Sequence, residues 1–138
     1  MPRLPWILLV VFAGAVCQAA PGAGEALFVR RVAPLFHEKC LACHGNDEKK
    51  IKGGLDLRSV EAALKGGDSG LPGFVRGKPE ASPIFLASTR VHDDFEAMPP
   101  KEADRLTEEQ LQWIKEWITG GAPWPDAGSA KEIARANA

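Results

Sequence analysis

The chain has 138 residues, 45% hydrophobic and 25% charged, with a formal net charge of −1. That length suits one domain, and the composition excludes a wholly disordered chain. Seventeen Lys+Arg against eighteen Asp+Glu leave no basic surplus to hold a phosphate backbone, so no nucleic-acid partner is expected. Three Cys, three His, two Met and no Tyr leave few candidates for any site built from sulfur or imidazole. Three cysteines are also too few for a disulfide-stapled scaffold.

The first element is an address. Arg3 precedes the apolar run Trp6 to Val16, which has the length of a signal-peptide core and is short of the roughly 20 residues of a membrane span. Small residues at Cys17 and Ala19 suit cleavage after Ala19. Residues 1–19 therefore read as a signal peptide, and the protein as periplasmic or otherwise extracytoplasmic. An uncut segment would instead anchor it to the membrane. Cleavage removes Met1 and Cys17 and leaves two cysteines and one methionine.

Residues 20–27 read as a linker and the start of a first helix. Phe28, Val32, Leu35 and Phe36 have helical spacing, which Pro34 either kinks or restarts. Residues 45–54 are polar and read as a loop. Ser59 caps a short helix from Val60 to Lys65 that Gly66-Gly67 stops. A Gly/Pro-rich loop follows to Pro79, with one apolar pair, Phe74-Val75. Ser82-Pro83 reads as an N-cap and first helical residue. A second loop, 89–104, contains Met98-Pro99-Pro100.

Thr107 with Gln110 forms a capping box, flanked by the staple pair Leu106 and Leu111. The helix it starts carries a stripe of Leu111, Ile114 and Ile118 flanked by Trp113 and Trp117, and ends at Gly120-Gly121. Residues 126–138 are small and polar and are expected to form a mobile tail. No strand alternation stands out. The expected fold is all-α, with three to five short helices and long loops. So much Gly and Pro predicts a thin core that a large apolar cofactor would complete.

Cys40-Leu41-Ala42-Cys43-His44 is C-x-x-C-H, the attachment signature of c-type haem. Two thiols three residues apart reach the two vinyl groups of one haem and become thioethers, and His44 then lies under the iron with its imidazole neutral. A thioredoxin-like pair would want a βαβ context. Zinc would need four ligands, which only a crowded set of His37, Cys40, Cys43 and His44 could supply. By elimination Met98 is the candidate second axial ligand, since thioether paired with His is common on electron-transfer haem and raises its potential. Pro99 would stiffen its loop and aim the sulfur. His92 is the rival ligand, and His37 reads as an exposed helix residue. Leu55 and Leu57 are candidates to wall one edge of the haem, with Phe74, Ile84 and Phe85 at others. Trp113 and Trp117 are expected to pack against the first helix near Phe36.

With these motifs in order, the chain resembles the cytochrome c domain abundant in planctomycete proteins, within the class I cytochrome c superfamily. The stretches carrying the resemblance are Val32-Ala33-Pro34-Leu35, Cys40 to Gly45, Lys52 to Leu57, Gly66 to Gly70, Pro72-Gly73, Gly77 to Glu80, Ser82-Pro83, Met98 to Pro100, and Leu106 through Pro125. Residues 28–125 are thus expected to form a cytochrome c-like domain wrapped around one covalent haem. The resemblance implies thioethers at Cys40 and Cys43 and iron ligands His44 and Met98. Such domains usually stand at the front of larger proteins, whereas here a free-standing carrier or small subunit is expected. The predicted function is one-electron transfer between a redox protein donor and acceptor, without an enzymatic step of its own. The alternative is a haem-binding subunit, or a sensor or peroxidase-like domain, in a larger membrane-associated complex.

Overall fold

The computed structural model describes residues 22–136, so the expected signal peptide lies outside the described residues. Among them every regular element is helical. The first helical run passes without a break through α1 (Ala23–Leu27), a π-helical turn (Phe28–Val32) and α2 (Ala33–Lys39). Pro34 stands in the first turn of α2, the second of the two expected placements, directly after the π-helical turn. Proline cannot donate to the carbonyl four residues back and its ring crowds that carbonyl. The wider turn just before it gives the ring room.

A single turn, α3 (Leu41–His44), follows at once. Next, α4 (Val60–Lys65) starts at Ser59, whose hydroxyl accepts from the Ala62 N–H at 3.2 Å. It stops at Gly66, φ 76°, where an added Cβ would lie 1.8 Å from the Leu71 carbonyl oxygen. Ser82 precedes α5 (Pro83–Thr89) as expected, but its hydroxyl does not cap the helix. Fully buried, it accepts from the Val75 N–H at 2.9 Å and lies 2.8 Å from the Lys78 carbonyl oxygen, bracing the loop before the helix.

The capping box of α6 (Glu108–Thr119) is complete: Thr107 accepts from the Gln110 N–H at 3.1 Å, and Gln110 accepts from the Thr107 N–H at 3.0 Å. Residues expected to trail as a tail instead form α7 (Ala127–Arg135), capped by Asp126 through the Ser129 N–H at 2.8 Å. Ile133 on α7 is buried, and Arg30 donates to its carbonyl at 3.0 Å. One apolar residue facing the first helical run, with an Asp cap, makes a docked helix of a segment that is polar on average. The described residues thus hold more helices than the three to five expected, because the first run is divided and α7 is added.

The core lies between the first run, α6 and the loops that cross them. Trp117 has no exposed surface and packs on Phe28, Phe36, Phe74 and Trp124, with ring centroids 4.9–6.1 Å apart. Its indole N–H donates to the Pro123 carbonyl at 2.8 Å. Trp113 also faces the first run, with the Arg31 guanidinium 5.2 Å from its ring centre. The centre of this part of the molecule is therefore filled by rings of the protein itself, not left thin.

Candidate functional site

The five residues of C-x-x-C-H make one turn. Both the Cys43 and His44 N–H groups donate to the Cys40 carbonyl, at 3.2 and 2.9 Å. The turn is held against the body by its entry and exit: the Cys40 N–H donates to the Phe36 carbonyl at 2.9 Å, and the Leu57 N–H to the His44 carbonyl at 2.8 Å. Both cysteines are free thiols. Cys40 packs against the apolar core, and burial pushes its pKa up to about 12, so the thiol is protonated at neutral pH. Cys43 is exposed.

His44 is oriented from below. Its Nδ1 lies 3.0 Å from the Leu55 carbonyl oxygen. A carbonyl only accepts, so Nδ1 carries the proton and Nε2 keeps its lone pair for a metal. This is the usual way a backbone group aligns a ligating imidazole. Leu55 and Leu57 thus flank the site through their backbones: one carbonyl orients His44 and one N–H ties the turn. The Leu55 side chain is half-buried on the core, and that of Leu57 is buried.

Gly45 closes the turn and leaves room for two neighbouring side chains. A Cβ there would lie 2.7 Å from Cγ of Arg58 and 3.0 Å from a methyl of Leu41. Arg58 crosses over this point, held by Asp56 at 2.7 Å and Glu48 at 2.6 Å.

Met98 stands in a different part of the chain. It is half-buried, and its N–H donates to the Ala87 carbonyl on α5 at 3.0 Å. Pro99 and Pro100 follow, the Met98–Pro99 peptide being cis. Arg90 gathers this segment, donating to the carbonyls of Pro99 and Pro100. Sequence reasoning missed Arg90, as it did Arg58, because neither belongs to a motif and each acts on neighbours brought to it by folding. The rival His92 is engaged within its own loop, where Nδ1 accepts from the Asp94 N–H at 3.3 Å and the ring rests 5.2 Å from that of Phe95. His37 is exposed on α2. Phe74 and Ile84 are buried and Phe85 packs beside them, Phe74 in contact with Trp117.

Among the described residues no three or more His, Cys, Asp and Glu side chains gather to hold a metal ion, so a zinc set around the cysteines has no support there. Two free thiols and one imidazole with its Nε2 available, all on one turn, do fit covalent haem. Cys40 and Cys43 would hold the group through two thioethers and His44 would offer its Nε2 to the iron.

Two thiols and an oriented imidazole on a single turn, among described residues whose regular elements are all helical, are the groups that covalent attachment of a c-type haem would require. Residues 40–102 match the family described as Planctomycete cytochrome C. The matched stretch spans both the C-x-x-C-H turn and Met98-Pro99-Pro100, and ends before α6. The family implies covalent haem and haem-based electron transfer. No curated protein and no solved structure matches the chain.

Proposed function

We propose that this chain is an exported monohaem c-type cytochrome that carries single electrons between two redox proteins, with haem attached to Cys40 and Cys43 and the iron ligated by His44 and Met98. The observation that carries the reading is the 3.0 Å contact of His44 Nδ1 with the Leu55 carbonyl, which leaves Nε2 free beside two unpaired thiols. When bound, the haem supplies reversible one-electron exchange at its iron.

The chain's own residues supply the rest. Cys40 and Cys43 fix the macrocycle covalently. Leu55 holds the His44 ring. Met98 offers a soft thioether, which favours the reduced iron and raises the potential. With His44 and Met98 both held for the iron, no position would be left for a substrate there, which favours carriage over catalysis. Donor and acceptor would dock weakly and transiently at the haem edge. The near-zero net charge gives them little long-range steering. The apolar run at residues 6–16 supports export, with cleavage after Ala19.

A visible spectrum and redox titration of the purified, exported protein test this. The oxidised protein is expected to show the weak red band of thioether-ligated ferric haem, and Met98→Ala is expected to abolish it and lower the potential. An unchanged spectrum in Met98→Ala overturns the assignment of Met98. Covalent haem retained in Cys40→Ser/Cys43→Ser overturns the attachment. A site in Met98-containing protein that already binds peroxide or a gas would point to the sensor or peroxidase-like alternative. An N-terminal sequence beginning before residue 20 would point to an anchored subunit.

A further inference from the structure

Arg90 occupies a backbone position that argues against an arginine. It is the C-cap of α5, with φ 66° and ψ 7°. Glycine adopts this left-handed conformation freely, whereas any residue with a Cβ is disfavoured there. A residue kept in such a conformation points to a use for its side chain.

That side chain is only 14% exposed, and all its reach goes to the segment after Met98. One terminal nitrogen donates to the Pro99 carbonyl and the other to the Pro100 carbonyl at 3.4 Å. Nε meets the Glu102 carboxylate at 3.1 Å, and Arg105 holds the other oxygen of that carboxylate at 2.6 Å. Prolines have no N–H, so their carbonyls are the only backbone groups by which Pro99 and Pro100 can be held. The planar fork of a guanidinium meets two such carbonyls with separate nitrogens in a fixed geometry, which the single nitrogen of a flexible ammonium cannot reproduce. On the other side of Met98, its N–H is bonded to Ala87, one turn before the Arg90 cap. Both flanks of Met98 are thereby tied to the C-terminal turn of α5.

We propose that Arg90 is a positioning residue that clamps the Met98 loop, holding the sulfur at the iron and closing that coordination position to outside ligands. The proposal rests on the reading of Met98 as axial ligand. A thioether is a weak ligand to ferric iron, so its retention depends on how little ordering remains to be done by the loop. The clamp does that ordering in advance. Without it the loop opens, the sulfur leaves more often, and an external base competes for the vacated position.

The test is an imidazole titration of the ferric holoprotein, followed through the red band, with the reduction potential measured in parallel. Arg90→Gly removes the guanidinium and leaves a residue better suited to the backbone. It is expected to retain covalent haem, to bind imidazole at least about tenfold more tightly than wild type, and to show a lower potential. Arg90→Lys keeps the charge without the fork and is expected to follow Arg90→Gly. Glu102→Gln, at an exposed position, loosens the guanidinium and should move imidazole affinity the same way by a smaller factor. It reads the clamp even if Arg90→Gly folds poorly. Wild-type imidazole affinity and an unmoved red band in Arg90→Gly and Glu102→Gln overturn the clamp while leaving Met98 as ligand. A wild-type protein without the red band overturns Met98 as ligand, and the clamp's role with it.

Discussion

Asp56 and Arg58 sit on either side of Leu57, whose N–H holds the His44 carbonyl. Arg58 donates to both Asp56 oxygens and to Glu48, closing a charged brace over Gly45. The side-chain hydrogen bond from Arg58, above all, holds the Asp56 carboxyl below its ordinary pKa of 3.8. A folded-state value below the unfolded one means the unfolded chain binds the extra proton. The brace therefore stabilises the fold fully above the ordinary carboxylate range and loses that contribution as pH falls through the lowered value. Asp56→Asn is expected to unfold at lower urea than wild type at neutral pH, with the two curves converging as pH falls below the ordinary carboxylate range. The difference should be small, since this is a surface pair in contact with solvent. A constant offset at every pH would show that the carboxylate charge is not the source. Ser82 makes a similar point without charge. Its position before Pro83 is readable as a cap, but its hydroxyl serves Val75 and Lys78, which only the folded loop brings near.

At the scale of elements, local signals decide where helices begin and neighbours decide what they do. The caps at Ser59 and Thr107 are legible because each lies three residues from its partner. The same chemistry at Asp126 was available in the sequence, but a segment of small and polar residues with Ile133 as its one large apolar side chain gives no periodic stripe to read. Docking against the first helical run makes α7 part of the fold. Truncation after Asp126 is accordingly expected to lower the melting temperature by several degrees and to raise hydrogen exchange in residues 23–32, because Ile133 and the Arg30 contact are lost. Unchanged exchange in that run would show that α7 adds nothing to it. The proline in the first run is the converse case. Pro34 warns of a break, and a π-helical turn absorbs it.

Across the whole molecule, two structures share one chain. One is a ring cluster centred on Trp117, reaching from Phe28 to Trp124 over nearly the full described length. The other is the pair of chemical segments, C-x-x-C-H, whose Cys40 packs against the core, and the Met98 loop, tied to α5. Truncating the fully buried Trp117 is expected to cost about 3–5 kcal/mol in Trp117→Ala, read by urea unfolding of the holoprotein. A loss below about 1 kcal/mol would mean that the attached group, and not the rings, carries the stability. The sequence by itself determined the haem-attachment motif, the all-helical class and the capped helices, because each depends on residues within one or two turns of each other. It also singled out Met98, through scarcity. Only the tertiary structure decided that the Leu55 carbonyl orients His44, that Arg58 lies over Gly45, that Arg90 grips two proline carbonyls, and that the last polar residues form a helix. Each of these joins a side chain to a backbone group or a buried surface that no local pattern encodes, and the chain must fold before the partners exist.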